Sequence, residues 1–335
     1  MAGDIGFAEG YISGDWDTPD LAGLLRAFSA NFDGLERLMG GHPVTRALNH
    51  LAHALNGNSR KGARRNIRAH YDLGNPFYEL WLDPGMTYSS ALFTDQDTSL
   101  EAAQEAKFHA LALAMDLRPE HHVLEIGCGW GGFCEHAARV MGARVTAVTI
   151  SRAQYDHARR RMFEAGLAER VDVRLVDYRD IEGRFDRVAS IEMFEAVGEA
   201  YWPDYFSKIR HTLKPGGRAG LQVITIDDDL FEGYRSRPDF IQSYIFPGGM
   251  LASETRLKSE VAAAGMTLEV TRRFARDYAQ TLMLWRERFE DAWPQIAALG
   301  FEGRFRRLWR YYLAYCEAGF GTGRTDVIQV ALRAP

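Results

Sequence analysis

A chain of 335 residues with 46% hydrophobic side chains can bury one large domain plus an accessory segment. A net charge of −5 with no dense basic stripe argues against a nucleic-acid partner, no Cys/His set has zinc spacing, so no metal is expected, and no apolar run reaches the length of a membrane span. Three unevenly placed cysteines (Cys128, Cys134, Cys316) suit a reduced compartment, and the opening MAGDIGFAEG lacks the basic-then-apolar order of a signal peptide, so a cytoplasmic location is expected.

Residues 1–59 read as a helical accessory segment. Leu21, Leu24, Leu25 and Phe28, then Leu35, Leu38 and Met39, recur at helical spacing, residues 43–55 give another short helix, and Asn56-Gly57-Asn58-Ser59 is a breaker cluster. The second unit, 60–335, opens on the basic run Arg60-Lys61-Gly62-Ala63-Arg64-Arg65-Asn66-Ile67-Arg68. A helix over 101–116 precedes a first strand at 122–126. Strands near 144–149, 171–176, 185–191 and 217–226 follow, interleaved with helical patterns at 152–165 and 199–212. Lys214-Pro215-Gly216-Gly217 is a turn feeding the fifth strand, and strands at 267–275 and 326–333 bring the number to seven. Such alternation predicts an α/β, doubly wound, Rossmann-like sheet with its ligand at the carboxyl ends of the strands. Residues 227–252 and 276–320 are aromatic-rich insertions, read as a lid over the substrate.

The stretch Val123-Leu124-Glu125-Ile126-Gly127-Cys128-Gly129-Trp130-Gly131-Gly132 is the end of a buried strand and a glycine turn into a helix, where a ligand can approach the backbone closely. The glycine spacing alone also fits a dinucleotide fold. That fold expects an acid at the tip of the second strand, whereas Arg144-Val145-Thr146-Ala147-Val148-Thr149-Ile150-Ser151 ends in hydroxyls. E-x-G-x-G resembles the first motif of class I S-adenosylmethionine (SAM)-dependent methyltransferases, and T-x-S followed by Gln154 is the pattern of one subgroup. That subgroup is the cyclopropane fatty acid synthases and their mycolic-acid relatives. The resemblance extends through Arg68-Ala69-His70-Tyr71-Asp72-Leu73-Gly74-Asn75 with Phe77-Tyr78, through Leu82-Asp83-Pro84 with Met86-Thr87-Tyr88-Ser89-Ser90, and through Asp177-Tyr178-Arg179-Asp180. Met193-Phe194-Glu195-Ala196-Val197-Gly198 and Asp277-Tyr278-Ala279-Gln280-Thr281-Leu282 complete it, so the motifs run in order from about residue 65 to 320. Relatives carry a longer N-terminal domain, an internal part of which G-F-A-E-G-Y-x-x-G-D-W resembles. The chain therefore reads either as a trimmed piece or as a short family member.

The resemblance implies transfer of a methyl(ene) group from SAM to the double bond of an unsaturated phospholipid acyl chain, giving a cyclopropane fatty acid. It places SAM against Tyr88, Ser89, Glu125, Gly127, Gly129, Trp130, Thr149, Gln154, Asp177 and Tyr178, the last two flanking the adenine. It also implies a bound bicarbonate as the base. Glu195 and Tyr278 are the expected holders of that anion, and Cys316 matches a family cysteine near the site. The plainer readings are a carboxylate stabilised by a helix N-terminus for Glu195, a satisfied buried hydroxyl for Tyr278 and simple packing for Cys316.

Departures from the family pattern bear on this. Gln222 stands where many members have histidine, and an amide donates to an anion without carrying a proton. Ser90 replaces a cysteine, which is tolerable if the backbone N–H is the contact. With the variations at Glu192 and Ala196, these place the chain in a divergent branch whose anion site is expected to be weaker or rebuilt, and whose product could be methyl- or methylene-branched. The expected setting is peripheral, on the inner face of a membrane, with residues 60–68 and Arg304, Arg306, Arg307 and Arg310 as candidate contacts to anionic lipid; a homodimer is left open. Two rivals remain open: a methyltransferase on nitrogen or oxygen of a small hydrophobic metabolite, which Phe231, Tyr234, Phe240, Tyr244 and Phe246 argue against, and a lipid-binding protein without activity.

Overall fold

The computed structural model describes residues 3–31, 73–95 and 97–335. The basic run 60–68, the helical readings at 35–39 and 43–55, the 56–59 breaker and His70-Tyr71-Asp72 lie outside the described residues.

The strands are β1 (His122–Ile126), β2 (Arg144–Thr149), β3 (Val171–Leu175), β4 (Phe185–Ile191), β5 (Leu213–Ile226), β6 (Ala252–Ser253), β7 (Thr267–Arg273) and β8 (Thr325–Arg333). They form one sheet in the order β3-β2-β1-β4-β5-β8-β7. The first five are parallel, and β8 runs antiparallel between β5 and β7. The seven expected strands are present, and the two-residue β6 beside the end of β5 is an eighth, too short for any periodicity to announce. Lys214-Pro215-Gly216-Gly217 lies inside β5 as a bulge: Phe185 pairs with Leu213, but Arg187 pairs with Arg218.

Helices cover both faces, as parallel strands require. On one face lie α4 (Leu100–Ala114), α5 (Gly132–Arg139) and α6 (Arg152–Glu164), burying Phe108, Leu111, Phe133, Ala158 and Met162. On the other lie α7 (Trp202–Thr212) and α9 (Glu254–Ala263), burying Trp202, Tyr205, Phe206 and Leu257. Ser99 caps α4 by accepting from the Ala102 amide.

A third core lies over the carboxyl edge. The segments around 227–252 and 275–321 supply α8 (Asp228–Ser236), α10 (Ala275–Asp291), α11 (Trp293–Ala298) and α12 (Gly303–Gly321), and the short α3 (Asn75–Glu79) packs among them. Phe77, Trp81, Trp285, Phe289 and Trp309 meet there edge to face, each burial worth about 1.5–3 kcal/mol. The N-terminal α1 (Gly3–Ser13) and α2 (Leu21–Ala30) belong to the same core through Tyr11, Leu21 and Leu25. Arg307 donates to Tyr11 O and Trp16 O, while Arg26 and Arg286 both pair with the buried Glu317 at 3.0 Å.

Candidate active site

β1 ends at Ile126, and the chain reverses through Gly127, Gly129 and Gly131 with φ of 81°, 53° and 93°, a region that costs other L residues roughly 1–2 kcal/mol. A Cβ on Gly127 would fall 2.6 Å from Met193 Cγ, whereas one on Gly129 would meet nothing within 4 Å. Gly129 faces a cavity of about 350 Å³. The amides of Gly127 and Cys128 both donate to Val148 O at 3.0 Å, which hooks the turn onto β2.

The expected cofactor residues all line this cavity. Ser151 caps α6 through the Gln154 amide, and that first turn sets Gln154 Oε1 2.8 Å from the donating Thr149 Oγ1. Both oxygens of Asp177 accept from Arg179, at 2.9 and 2.6 Å. Burial pushes the phenol of Tyr178 up to about 12. The Trp130 indole donates to Asn75 Oδ1 at 2.9 Å, and the hydroxyls of Tyr88 and Tyr312 share a 2.7 Å hydrogen bond. Glu125 is pushed up to about 8 by burial. Glu195, just past β4, is also pushed up to about 8, by burial first and by neighbouring Glu192 second. One oxygen of Glu195 accepts from the Ile224 amide; its other oxygen, and Oε2 of Glu125, have no hydrogen-bond partner among the described residues. Buried acid oxygens left unpartnered at a cavity fit a cationic ligand such as SAM.

Of the catalytic candidates, Glu195, Tyr278 and Cys316 line the cavity. The Cys316 thiol is pushed up by burial and so stays protonated at neutral pH. Ser90 and Gln222 are buried behind the wall, at 0% and 1% exposure. They converge on a residue the sequence reading noted only as a variation. Oε1 of Glu192 accepts from the Ser90 amide at 2.9 Å and from Gln222 Nε2 at 2.7 Å, and Oε2 accepts from the Tyr278 hydroxyl at 2.7 Å. Of the residues expected at the bicarbonate site, Ser90, Gln222 and Tyr278 are therefore bonded to a side chain of the protein, while Glu195 is not. They do not fit a separate anion in this arrangement.

Behind them stands Lys107, fully buried, donating to Ser89 Oγ at 2.6 Å. Burial pulls its ammonium down to about 7, against the pull of Glu192 and Asp83. Both residues left a signal in the sequence: an acid directly after the apolar strand 185–191, and a lysine between Ala103 and Leu111 on the buried stripe of α4. Among the described residues, no group of three or more His, Cys, Asp or Glu side chains could hold a metal ion.

The sheet, the glycine turn and this lining define a class I SAM-dependent methyltransferase. The family model for mycolic acid cyclopropane synthetase matches residues 58–330, and the chain belongs to that family. It is 40% identical over 98% of its length to the tuberculostearic acid methyltransferase UfaA1 of Mycobacterium tuberculosis, covering 79% of that protein. It is 36% identical, over 98% of its length and 82% of the relative's, to the cyclopropane-fatty-acyl-phospholipid synthase of Escherichia coli K12. Among solved structures, mycolic acid cyclopropane synthase CmaA1 complexed with SAH and CTAB superposes with a TM-score of 0.74 at 31% identity, over 81% of this chain and 98% of that one.

Proposed function

We propose that this enzyme transfers the methyl group of SAM to the double bond of an unsaturated acyl chain in a membrane phospholipid, closing a cyclopropane ring. The observation that carries the reading is the wall of the cavity, where Tyr88, Phe246, Tyr278, Leu282, Tyr312 and Phe320 present mostly apolar surface to whatever meets the cofactor. The names of the Escherichia coli and Mycobacterium relatives support an acyl chain as the acceptor.

When bound, SAM supplies an electrophilic methyl group on a cationic sulfonium. Glu125 and Glu195 would offer it negative charge, and Asp177 and Tyr178 would flank the adenine. Tyr88, Ser89, Gly127, Gly129, Trp130, Thr149 and Gln154 would complete the site. An alkene is a weak nucleophile, so the protein's task is to align the double bond and keep water out. The aromatic wall does both, and its ring faces do not capture a carbocation.

A second reading keeps the substrate and changes the product to a methyl or methylene branch; the name of UfaA1 favours it. A saturated branch needs a hydride from a further reductant. Either reading places the enzyme at the cytoplasmic face of a membrane as a peripheral protein. Among the described residues no helix is long and apolar enough to cross one. Of the candidate lipid contacts, Arg306 and Arg310 pair with Glu290, and Arg307 pairs with Asp17. That leaves the exposed Arg304 and residues 60–68 as the favoured electrostatic contacts.

Mass spectrometry of monounsaturated phospholipid vesicles incubated with enzyme and SAM tests the reading. A gain of one CH2 is expected, and fragmentation then separates ring from branch. No mass change on any unsaturated lipid, with methylation of a small amine or phenol instead, sinks it.

A further inference from the structure

We propose that the carboxylate of Glu192 is the resident base of this active site, occupying with a side chain the place for which the family pattern expects a bicarbonate ion. The inference rests on the acyl-chain reading for its chemistry and on the geometry for its placement. A bicarbonate is a carboxylate-like anion that needs donors on its oxygens. Of the four residues expected around that anion, three donate to Glu192 within 2.9 Å, through the Ser90 amide, the Gln222 amide group and the Tyr278 hydroxyl, while Glu195 does not bond to it. The side chain is half-buried, and it lines the cavity.

Two further observations separate this from a chance contact. Glu192 has φ of 47°, a left-handed conformation worth roughly 1–2 kcal/mol of strain in a residue that carries a Cβ. Strain of this kind persists where surrounding structure enforces it, and it clusters at active sites. Its amide also donates to Gln222 O at 2.8 Å, so backbone and side chain are fixed by the same neighbour. The second observation is Lys107, a fully buried lysine behind that wall whose ammonium form favours the charge of Glu192. Burial raises the pKa of Glu192 while Lys107 and the three donors pull it back toward the ionised form, and a raised pKa makes the carboxylate a better proton acceptor.

In the reaction, the double bond supplies the electron pair of a new C–C bond to the transferred methyl carbon, and the carbon–sulfur bond breaks with its pair staying on sulfur. The positive charge now lies on the neighbouring chain carbon. A C–H bond of the new methyl breaks, its pair closes the ring, and the proton passes to Glu192 Oε2. That oxygen accepts a single hydrogen bond, from Tyr278. Release of the proton to solvent restores the carboxylate.

The test compares the parent with Glu192→Gln and Glu192→Gly in buffer stripped of carbon dioxide, with and without added bicarbonate, and titrates each protein with 13C-bicarbonate by NMR. The parent should turn over equally in both buffers and show no saturable bicarbonate binding. Glu192→Gln should lose turnover by about 10²–10⁴-fold while binding SAM as the parent does, with no rescue, because the amide fills the site. Glu192→Gly relieves the left-handed strain but leaves the Ser90, Gln222 and Tyr278 donors without their acceptor, so it should melt lower than the parent and regain stability as bicarbonate is added. It should bind 13C-bicarbonate saturably and recover turnover in proportion to that binding. A parent that requires or saturably binds bicarbonate would overturn the proposal, as would a Glu192→Gly protein that matches the parent in stripped buffer. The anion titration needs no lipid. A parent that makes no lipid product yet binds no bicarbonate would therefore fail the acyl-chain reading alone.

Discussion

Gln329 locks the side-chain amide of Gln222 by donating from Nε2 to Gln222 Oε1 at 3.1 Å while also donating to the Lys107 carbonyl at 3.0 Å. Gln222 must then present its NH2 group to Glu192, so the orientation of a donor behind the cavity wall is set by a residue on β8 that never reaches the cavity. Gln329→Met removes that lock and leaves Gln222 Oε1 buried without its donor, a loss of about 1–3 kcal/mol. The variant should melt lower and turn over more slowly with SAM affinity unchanged. Turnover equal to the parent's would show that the lock is dispensable.

Lys107 makes stability depend on pH in a defined direction. Its folded value of about 7 lies below the ordinary 10.5, so below about pH 7 the native state must hold a charge it disfavours, and the penalty fades as pH rises toward the ordinary value. Lys107→Met should therefore compare best with the parent near pH 6 and progressively less well by about pH 10. Denaturant unfolding of both proteins across that range checks the trend; a pH-independent difference would contradict it.

SAM binding should release protons. Glu125 and Glu195, both raised to about 8, are largely protonated at pH 7. A cationic ligand favours their ionised forms, so binding at pH 7 drives protons off, and affinity rises with pH until it levels above about 8. Calorimetry in buffers of different ionisation enthalpy measures the release directly. An enthalpy independent of buffer would mean that neither acid faces the cation.

The glycines of the turn should fail in different ways. Gly129→Ala has no protein atom to strike, so it should fold with a cost near 1 kcal/mol and bind SAM more weakly because the methyl takes cavity space. Gly127→Ala drives a Cβ to 2.6 Å from Met193 Cγ and should lower the melting temperature as well. Paired melts and SAM titrations separate the two.

The sheet was legible because each strand carries its own periodicity and each crossover its own breaker, as in Arg144–Thr149 followed by the Ser151 cap. The meeting of Gly127, Gly129, Thr149 and Asp177 at one cavity was legible because these residues lie at or just after strand ends, whereas Tyr88 and Ser89 follow no strand and came from the resemblance. The partnering of Glu192 was not. It depends on Ser90, Gln222 and Tyr278 arriving from three distant segments, and no local pattern encodes that meeting. Resemblance directed attention to Glu195 and left Glu192 as a variation, although an acid at the mouth of an apolar strand is an energetic anomaly in itself. β6 escaped because two residues show no alternation.

The wall helix α12 is braced from outside the cavity. Along its length Arg307 is held by the backbone of α1 and its turn, and Glu317 is gripped by Arg26 of α2 and Arg286 of α10. Removing one grip on Glu317 leaves a buried charge half compensated, which is costly, so α12 resists being pushed outward. The bore of the cavity is thus gauged in part by residues 3–31, and the width of ligand that it admits can be altered by changes at positions that do not line it.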